Sequence, residues 1–258
     1  MTVYSNRMFT LRDTNRTRLA LELLVVVIGI LMALGLDRLN QDRVDRQIEQ
    51  AYFAQLIDDL ESDVVLLDSA IGQANKHADA ALRVLAVIED GSGIVADKQA
   101  FAWDVNYSGY IAFFYPTDFS YRDLTSTGNM DLIRDTDLKR SIVGYYENIE
   151  YSEQFYEAWI DQAWKRLNPT LQNLLHPDDW RVIEASLSRG NSWMPDDSVD
   201  DLLDIERVID SIRNSVPAQN MFVSVVVASR EAQNLFGKHK MQAEALLAEL
   251  NTANDPKV

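Results

Sequence analysis

The 258-residue sequence contains no cysteine. This absence excludes a disulfide framework, a thiolate nucleophile and any zinc or iron–sulfur site that depends on cysteine ligands. The sequence also lacks the G-x-S-x-G, H-E-x-x-H, Walker A and G-x-G-x-x-G motifs, and no lysine follows a serine by three positions. We therefore expect a protein that is not an enzyme, with no catalytic residue and no cofactor.

Basic residues are also few: 24 Lys and Arg stand against 40 Asp and Glu, a net charge of −16. Residues 1–18 alone carry +3, so subtracting +3 from −16 leaves −19 on residues 19–258. Such an acidic chain disfavours nucleic acid and anionic lipid headgroups as partners, and suits a basic protein patch or cations. No small-molecule substrate is evident.

Long apolar runs are equally rare, and the longest is LALELLVVVIGILMALGL at residues 19–36. As a helix, its 18 residues would span about 27 Å, close to the thickness of a bilayer's hydrocarbon core. A cleaved signal peptide has a shorter apolar region that ends in small residues, whereas this run exits into the polar residues 37–43. The sequence predicts an uncleaved signal anchor, a single transmembrane helix at 19–36.

The flanking charges predict how this helix is oriented. The preceding tail carries +3, whereas the acidic and basic residues of positions 37–46 cancel. The positive-inside rule then places the basic tail, residues 1–18, in the cytoplasm. In a bacterium the helical domain, residues 37–251, would be periplasmic, on a single-pass inner-membrane protein, with a disordered tail at 252–258.

Glu22 lies inside the predicted span, near its start. In one interpretation its carboxylate reaches the headgroups beside Arg18. In the other it contacts a polar group on a neighbouring span, from a second copy or a membrane-protein partner. Gly29 and Ala33 form a small-xxx-small pair that permits close helix approach. Glu22, Gly29 and Ala33 are therefore the predicted membrane or partner contacts, and a homo-oligomer or a membrane-protein partner is expected.

Beyond the span, the apolar residues of the chain follow helical spacing. The first stripe steps by four and three residues, as in a coiled coil, through Leu60, Val64, Leu67, Ile71, Ala74, Ala78, Ala81, Leu85 and Ile88. Because no proline separates residues 36 and 89, one continuous helix is predicted, ending at Gly91-Ser92-Gly93.

Four further helices are predicted downstream, one of them a short helix that starts at His176. One carries Leu138, Ile142, Tyr145, Ile149, Tyr156, Trp159 and Ala163 on one face and is expected to end or kink at Asn168-Pro169. A short one is marked by Leu202, Ile205, Ile209 and Ile212. The last begins near Pro217 and takes in the β-rich stretch FVSVVVAS at 222–229. The predicted fold is all-α: a transmembrane helix continuing into an elongated extracytoplasmic helical bundle.

Sixteen of the 24 aromatic residues lie between Phe101 and Trp164. Our first interpretation is a helical core closed by tyrosine and tryptophan. The alternative is an exposed patch for a partner, to which we assign Tyr110, Phe113, Phe114, Tyr115 and Tyr121.

The three histidines are not predicted to bind metal. His77 and His239 are expected to be partly exposed on helices. His176, with Asp178 and Asp179, is interpreted as a helix start, where acidic side chains favour the helix dipole.

Several stretches resemble one known family. They are ELLVVVIGILMAL at 22–34, FAQLIDDLESD at 53–63, and Tyr121, Leu124, Ser126, Gly128, Leu132, Ile133 and Tyr145-Tyr146. Together they resemble an uncharacterised family of single-pass bacterial membrane proteins, whose membrane segment reads approximately G-E-I-I-L-V-V-I-G-I-L-I-A-L. This sequence departs at Leu21, where the family has glycine, and has Asp37-Arg38-Leu39-Asn40 where an Asn-Trp often follows the span. The resemblance implies a shared architecture but no activity, and it favours a specific role for Glu22.

We therefore expect a membrane-anchored, non-enzymatic interaction or scaffold module of the cell envelope, an accessory subunit of a larger assembly. The alternative is a subunit of a membrane transport or channel assembly, with Glu22 between spans and the acidic domain as a cation-attracting vestibule. A hydrolase built from scattered acidic pairs ranks third, for want of a motif.

Overall fold

The computed structural model describes residues 10–91, 95–174, 176–177 and 204–254. These residues form six α-helices and one 3₁₀ turn, so the all-α prediction is confirmed. The helices are α1 Thr10–Asp90, α2 Lys98–Tyr107, α3 Phe119–Ser126, α4 Thr136–Leu174, α5 Ile205–Arg213 and α6 Val216–Ala253, with the 3₁₀ turn at Asn129–Leu132. By internal contacts the chain divides into two units, Met1–Tyr52 and Phe53–Val258.

The first unit contains the apolar N-terminal part of α1. Among the described residues, α1 is the helix that is long and apolar enough to cross a membrane, and none of its most apolar window is buried. Every leucine, valine and isoleucine from Leu19 to Leu36 is exposed. This part of α1 is therefore a possible membrane span or signal sequence.

In the second unit, α1 presents one buried face with steps of three and four residues. The buried positions are Phe53, Leu56, Leu60, Asp63, Leu67, Ala70, Ala74, His77, Ala81 and Val84. The predicted stripe is confirmed: five of its nine residues, Leu60, Leu67, Ala74, Ala78 and Ala81, are buried, and the other four are half-buried. As predicted, α1 ends next to Gly91, whose φ of +72° places it in the left-handed conformation common after a helix.

The long helix α6 packs against α1 in the antiparallel direction. One shared cluster contains Leu67, Ala70, Ala74, Ala232 and Phe236. Asp68 pairs with Lys240 at 2.7 Å. Further along α1, Val84 packs in a cluster with Phe222, together with residues of α2, α5 and the end of α4. Residues further along α1 therefore contact residues earlier in α6, as expected for two antiparallel helices.

The bounds predicted from the sequence agree better with the structure for α6 than for α4. Ser215 caps α6, proline follows in its first turn, and residues 222–229 are helical as predicted. The helix continues to Ala253, two residues into the stretch 252–258 that was predicted as a disordered tail. Of the two outcomes predicted at Asn168-Pro169, an end of the helix is wrong, because α4 runs through Pro169 to Leu174. Burial of Leu174 in the core favours this continuation. A kink at Pro169 stays a prediction.

The predicted exposure of two histidines is also wrong. His77 is 3% exposed and His239 is 5% exposed. Both lie on core-facing positions of long helices, and burial lowers the pKa of each, that of His77 to about 4. Both side chains are therefore neutral at pH 7.

Candidate interaction site

The carboxylate of Asp63 is fully buried in the packing face of α1. Its Oδ1 accepts a hydrogen bond from the Thr117 backbone N–H at 2.6 Å, and its Oδ2 accepts one from the Tyr145 hydroxyl at 2.7 Å. Burial raises the pKa of Asp63, whereas both hydrogen bonds act to lower it. Because a buried carboxylate is costly without such partners, Asp63 ties both Thr117 and α4 to α1.

Asp59, one turn earlier on α1, holds the start of α3. Its Oδ2 accepts a hydrogen bond from the Ser120 backbone N–H at 3.0 Å. That N–H lies in the first turn of α3, where a helix has no internal acceptor. Asp118 occupies the N-cap position without capping the helix, and its side chain instead pairs with Arg122. A side chain of α1 therefore provides the cap that α3 lacks.

Three tyrosines close this cluster. The rings of Tyr145 and Tyr146 meet edge to face, with centroids 5.0 Å apart, and Tyr121 stacks on Tyr146 at 4.3 Å. The Tyr146 hydroxyl donates a 3.4 Å hydrogen bond to the Thr117 carbonyl oxygen. Burial raises the pKa of both Tyr145 and Tyr146. Their hydroxyls therefore remain protonated and able to donate.

The segment between α2 and α3 alternates between inward and outward side chains. Ala112 is buried, and the ring of Phe114 packs edge to face against Phe236 at 6.3 Å. Phe113 and Tyr115, at the alternate positions, are 48% and 62% exposed, and their rings stack at 6.4 Å. Alternation of this kind is what an extended backbone produces.

Two more aromatic side chains on the same stretch are exposed. Tyr110 is 47% exposed and Phe119 is 76% exposed. We refer to Tyr110, Phe113, Tyr115 and Phe119 as the aromatic surface. Of the five residues assigned to a patch from sequence, three belong to this surface, and Phe114 and Tyr121 are half-buried. The aromatic region is therefore partly core and partly surface.

An apolar cavity of about 500 Å³ adjoins the aromatic surface. Tyr110, Ile111 and Ala112 line it from the segment before α3, and a long face of α6 lines the other side. The residues from α6 are Pro217, Asn220, Met221, Val223, Ser224, Val225, Val227, Ala228, Ser229 and Ala232. None of the described lining residues is charged. The cavity can therefore accept an apolar group.

The helix α2 is attached to α1 by one ion pair and one ring contact. The Arg83 guanidinium donates two hydrogen bonds to Asp104, Nε to Oδ2 at 2.7 Å and Nη2 to Oδ1 at 2.6 Å. His77 contacts the Tyr107 ring edge to face at 4.6 Å. Its Nδ1 has no hydrogen-bond partner among the described residues. These contacts fix the start of the segment that carries the aromatic surface.

The residues predicted to contact the membrane lie in the first unit. Glu22 accepts a 3.2 Å hydrogen bond from Arg18 one turn before it. Gly29 has open space where a side chain would lie, and Ala33 is exposed. Their role as contacts stays a prediction.

A metal site was not expected from the sequence. His176 is exposed, and Asp178 and Asp179 lie outside the described residues, as does Leu202. Within the described part of the chain, no group of three or more His, Asp or Glu residues is placed to hold a metal ion.

Comparison with protein families gives one match. Residues 22–170, more than half of the chain, match the family of unknown function DUF6090. The chain belongs to DUF6090. No curated protein and no solved structure matches it significantly.

The DUF6090 region begins at Glu22 and includes Asp59, Asp63, the aromatic surface and the tyrosine pair. The helices α5 and α6 lie beyond it, although α6 supplies most of the cavity lining. Asp63 was not singled out from the sequence. It could have been found, because it falls on the three- and four-residue spacing of the buried face of α1.

Proposed function

We propose that this DUF6090 protein is a membrane-anchored, non-enzymatic interaction module, an accessory subunit of a larger assembly in the bacterial envelope. Residues 19–36 form the anchor, the basic tail stays in the cytoplasm, and the helical domain lies on the other side of the membrane. The exposed apolar run and its asymmetric flanking charges support this arrangement.

The observation that carries the proposal is an aromatic surface on a fixed backbone. Exposing aromatic side chains to water is unfavourable, and contiguous exposed apolar surface on a folded domain marks an interaction site. Asp59 and Asp63 hold the backbone on either side of Phe119 by hydrogen bonds to Ser120 and Thr117. Aromatic residues that are held in place before binding are typical of those that contribute most of the binding energy at interfaces.

The test is co-purification of the full chain from native membranes in a mild detergent. The double variant Phe113→Ser, Tyr115→Ser should lose a companion protein that wild type retains in a fixed ratio. The matched control is Tyr151→Ser, because Tyr151 is 75% exposed and lies on α4, outside the aromatic surface. Equal companion yields from all three chains would contradict the proposal.

A further inference from the structure

The stretches of chain around the aromatic surface carry an excess of acidic residues. Its segment, residues 101–121, packs against residues 53–75 of α1 and 141–156 of α4 through the contacts of Asp63, Tyr146 and Tyr156. These three stretches together contain ten aspartates and glutamates and no lysine or arginine. The chain as a whole has three basic residues for every five acidic ones, 24 against 40. Three of these carboxylates pair with basic residues from outside the stretches: Asp68 with Lys240, Asp104 with Arg83 and Asp118 with Arg122. The region therefore keeps a net negative charge beyond its ion pairs.

Four of these carboxylates are exposed, and none is ion-paired with a described residue: Asp58, Glu61, Glu147 and Glu150. We refer to them as the carboxylate rim. Glu61 directly precedes Ser62, and the Ser62 hydroxyl lies 3.4 Å from the Thr117 hydroxyl. Thr117 stands between Tyr115 and Phe119 in the chain. Burial raises the pKa of Tyr121, two residues after Phe119, and the charges of Glu147 and Glu150 raise it further. Glu61 therefore lies next in the chain to a residue that contacts Thr117, and Glu147 and Glu150 lie close enough to Tyr121 to affect its pKa.

The aromatic surface and the cavity are continuous through Tyr110. This side chain is half exposed and also lines the cavity, next to Ile111 and Ala112. On the α6 side, Val223 and Val227 line the cavity and are 50% and 53% exposed. A partly open cavity with no charged residue among its described lining thus adjoins an aromatic surface that has exposed carboxylates nearby.

We infer that this face binds a basic amphipathic segment of a partner protein, with apolar side chains in the cavity and arginine or lysine over the aromatic surface and the carboxylate rim. This inference rests on the proposed function and names the chemistry of its partner. Cations are attracted to the faces of aromatic rings, and more strongly where carboxylates add their charge. Apolar anchors that enter a pocket are a common mode of peptide recognition.

Charge also decides against two other occupants. A second copy would bring its own carboxylate rim toward this one, and like charges across an interface cost free energy. The headgroups of anionic lipids would be repelled in the same way. A cationic protein segment supplies both the apolar groups and the opposite charge.

The inference is tested by photocrosslinking in native cells. The photoreactive amino acid p-benzoylphenylalanine is placed at position 113 of the full chain, or at position 241 as the control, and the crosslinked peptides are identified by mass spectrometry. Met241 is 71% exposed on α6 and belongs neither to the aromatic surface nor to the carboxylate rim. The expected result is a crosslink to a protein from position 113 and none from the control position. The crosslinked peptide should carry a net positive charge, with large apolar residues such as leucine between its basic residues. The exposed-charge variant Asp58→Asn, Glu61→Gln should reduce the crosslink yield about three- to tenfold.

The matched charge control is Glu89→Gln, Glu206→Gln, which removes two exposed carboxylates outside the rim and should leave the yield unchanged. A crosslink to an acidic or uncharged peptide, to lipid or to a second copy would overturn the inference. A crosslink to an acidic or uncharged peptide of another protein would still leave the proposed function standing. Absence of any crosslink specific to position 113 would overturn both.

Discussion

The Tyr145 hydroxyl donates a 2.7 Å hydrogen bond to the Asp63 carboxylate, and both side chains are buried. This single contact joins α4 to α1 across 82 residues of sequence. Tyr145→Phe keeps the ring and removes this donor, so the buried carboxylate loses its hydrogen bond to α4 and keeps its contacts with Thr117. We expect the free energy of unfolding to fall by about 1–3 kcal/mol.

The measurement is unfolding of the full chain in mild detergent, followed by circular dichroism. Tyr151→Phe is the matched control, because its hydroxyl is on an exposed side chain and its loss should cost little. Equal stability of the two variants would show that the Asp63–Tyr145 contact contributes nothing.

Leu67 tests the buried face of α1. Its side chain is fully buried, so Leu67→Asp places an unpaired charge in the core and should cost about 3 kcal/mol or more. Leu66→Asp introduces the same charge one residue away, where the leucine is 43% exposed, and should be nearly neutral. Comparable melting temperatures for both variants would place the packing face elsewhere.

His77 predicts a loss of stability in acid. Its pKa is lowered from 6.5 to about 4 by burial, so the unfolded chain binds a proton that the folded chain does not. Its contribution is fully present above pH 6.5 and is lost as the pH falls through about 4. His77→Leu should therefore show a smaller drop in melting temperature between pH 7.5 and pH 5 than wild type.

His176→Gln is the control for this comparison, because His176 is exposed. It should keep the wild-type drop in melting temperature. A drop in His77→Leu as large as in wild type would mean that His77 titrates normally in the folded chain.

The sequence predicted the parts of the fold that depend on local pattern. The spacing from Leu60 to Ile88 and the glycine after Asp90 are local signals, and the structure follows both. The same spacing places Asp63 on the buried face of α1, but it does not show the donors that satisfy the carboxylate, because these partners lie 54 and 82 residues away in the chain. Residue type alone assigns an aspartate to the surface, and only the fold provides the donors that allow its burial.

The histidines and Pro169 show the same limit. Both His77 and His239 were assigned by polarity, whereas their positions on core-facing helix surfaces decide their burial. Proline removes one helical hydrogen bond, yet α4 continues beyond it to the buried Leu174. For the aromatic region the sequence allowed either a core or an exposed patch, and the structure contains both. The alternation that exposes Phe113 and half-buries Phe114 depends on the extended backbone of this segment.

Glu22 distinguishes an interaction module from a transport subunit. If its carboxylate only reaches the headgroups beside Arg18, Glu22→Gln and Glu22→Leu should leave the yield of detergent-resistant assembly unchanged. If it contacts a polar group between spans, the loss of one such hydrogen bond costs about 0.6–2 kcal/mol, a roughly three- to thirtyfold change in association. Glu22→Leu should then assemble less well than Glu22→Gln while inserting equally well, and that result would favour transport.

The anchor and its orientation decide the account as a whole, and the absence of cysteine makes them directly measurable. Single cysteines are introduced as Ser5→Cys in the basic tail and Tyr151→Cys on α4, and spheroplasts are treated with a membrane-impermeant maleimide. The account predicts that Tyr151→Cys is labelled in intact spheroplasts, that Ser5→Cys is labelled only after lysis, and that both chains stay in the membrane pellet after an alkaline wash. Labelling of Ser5→Cys from outside, or release of either chain into the soluble fraction, would contradict it.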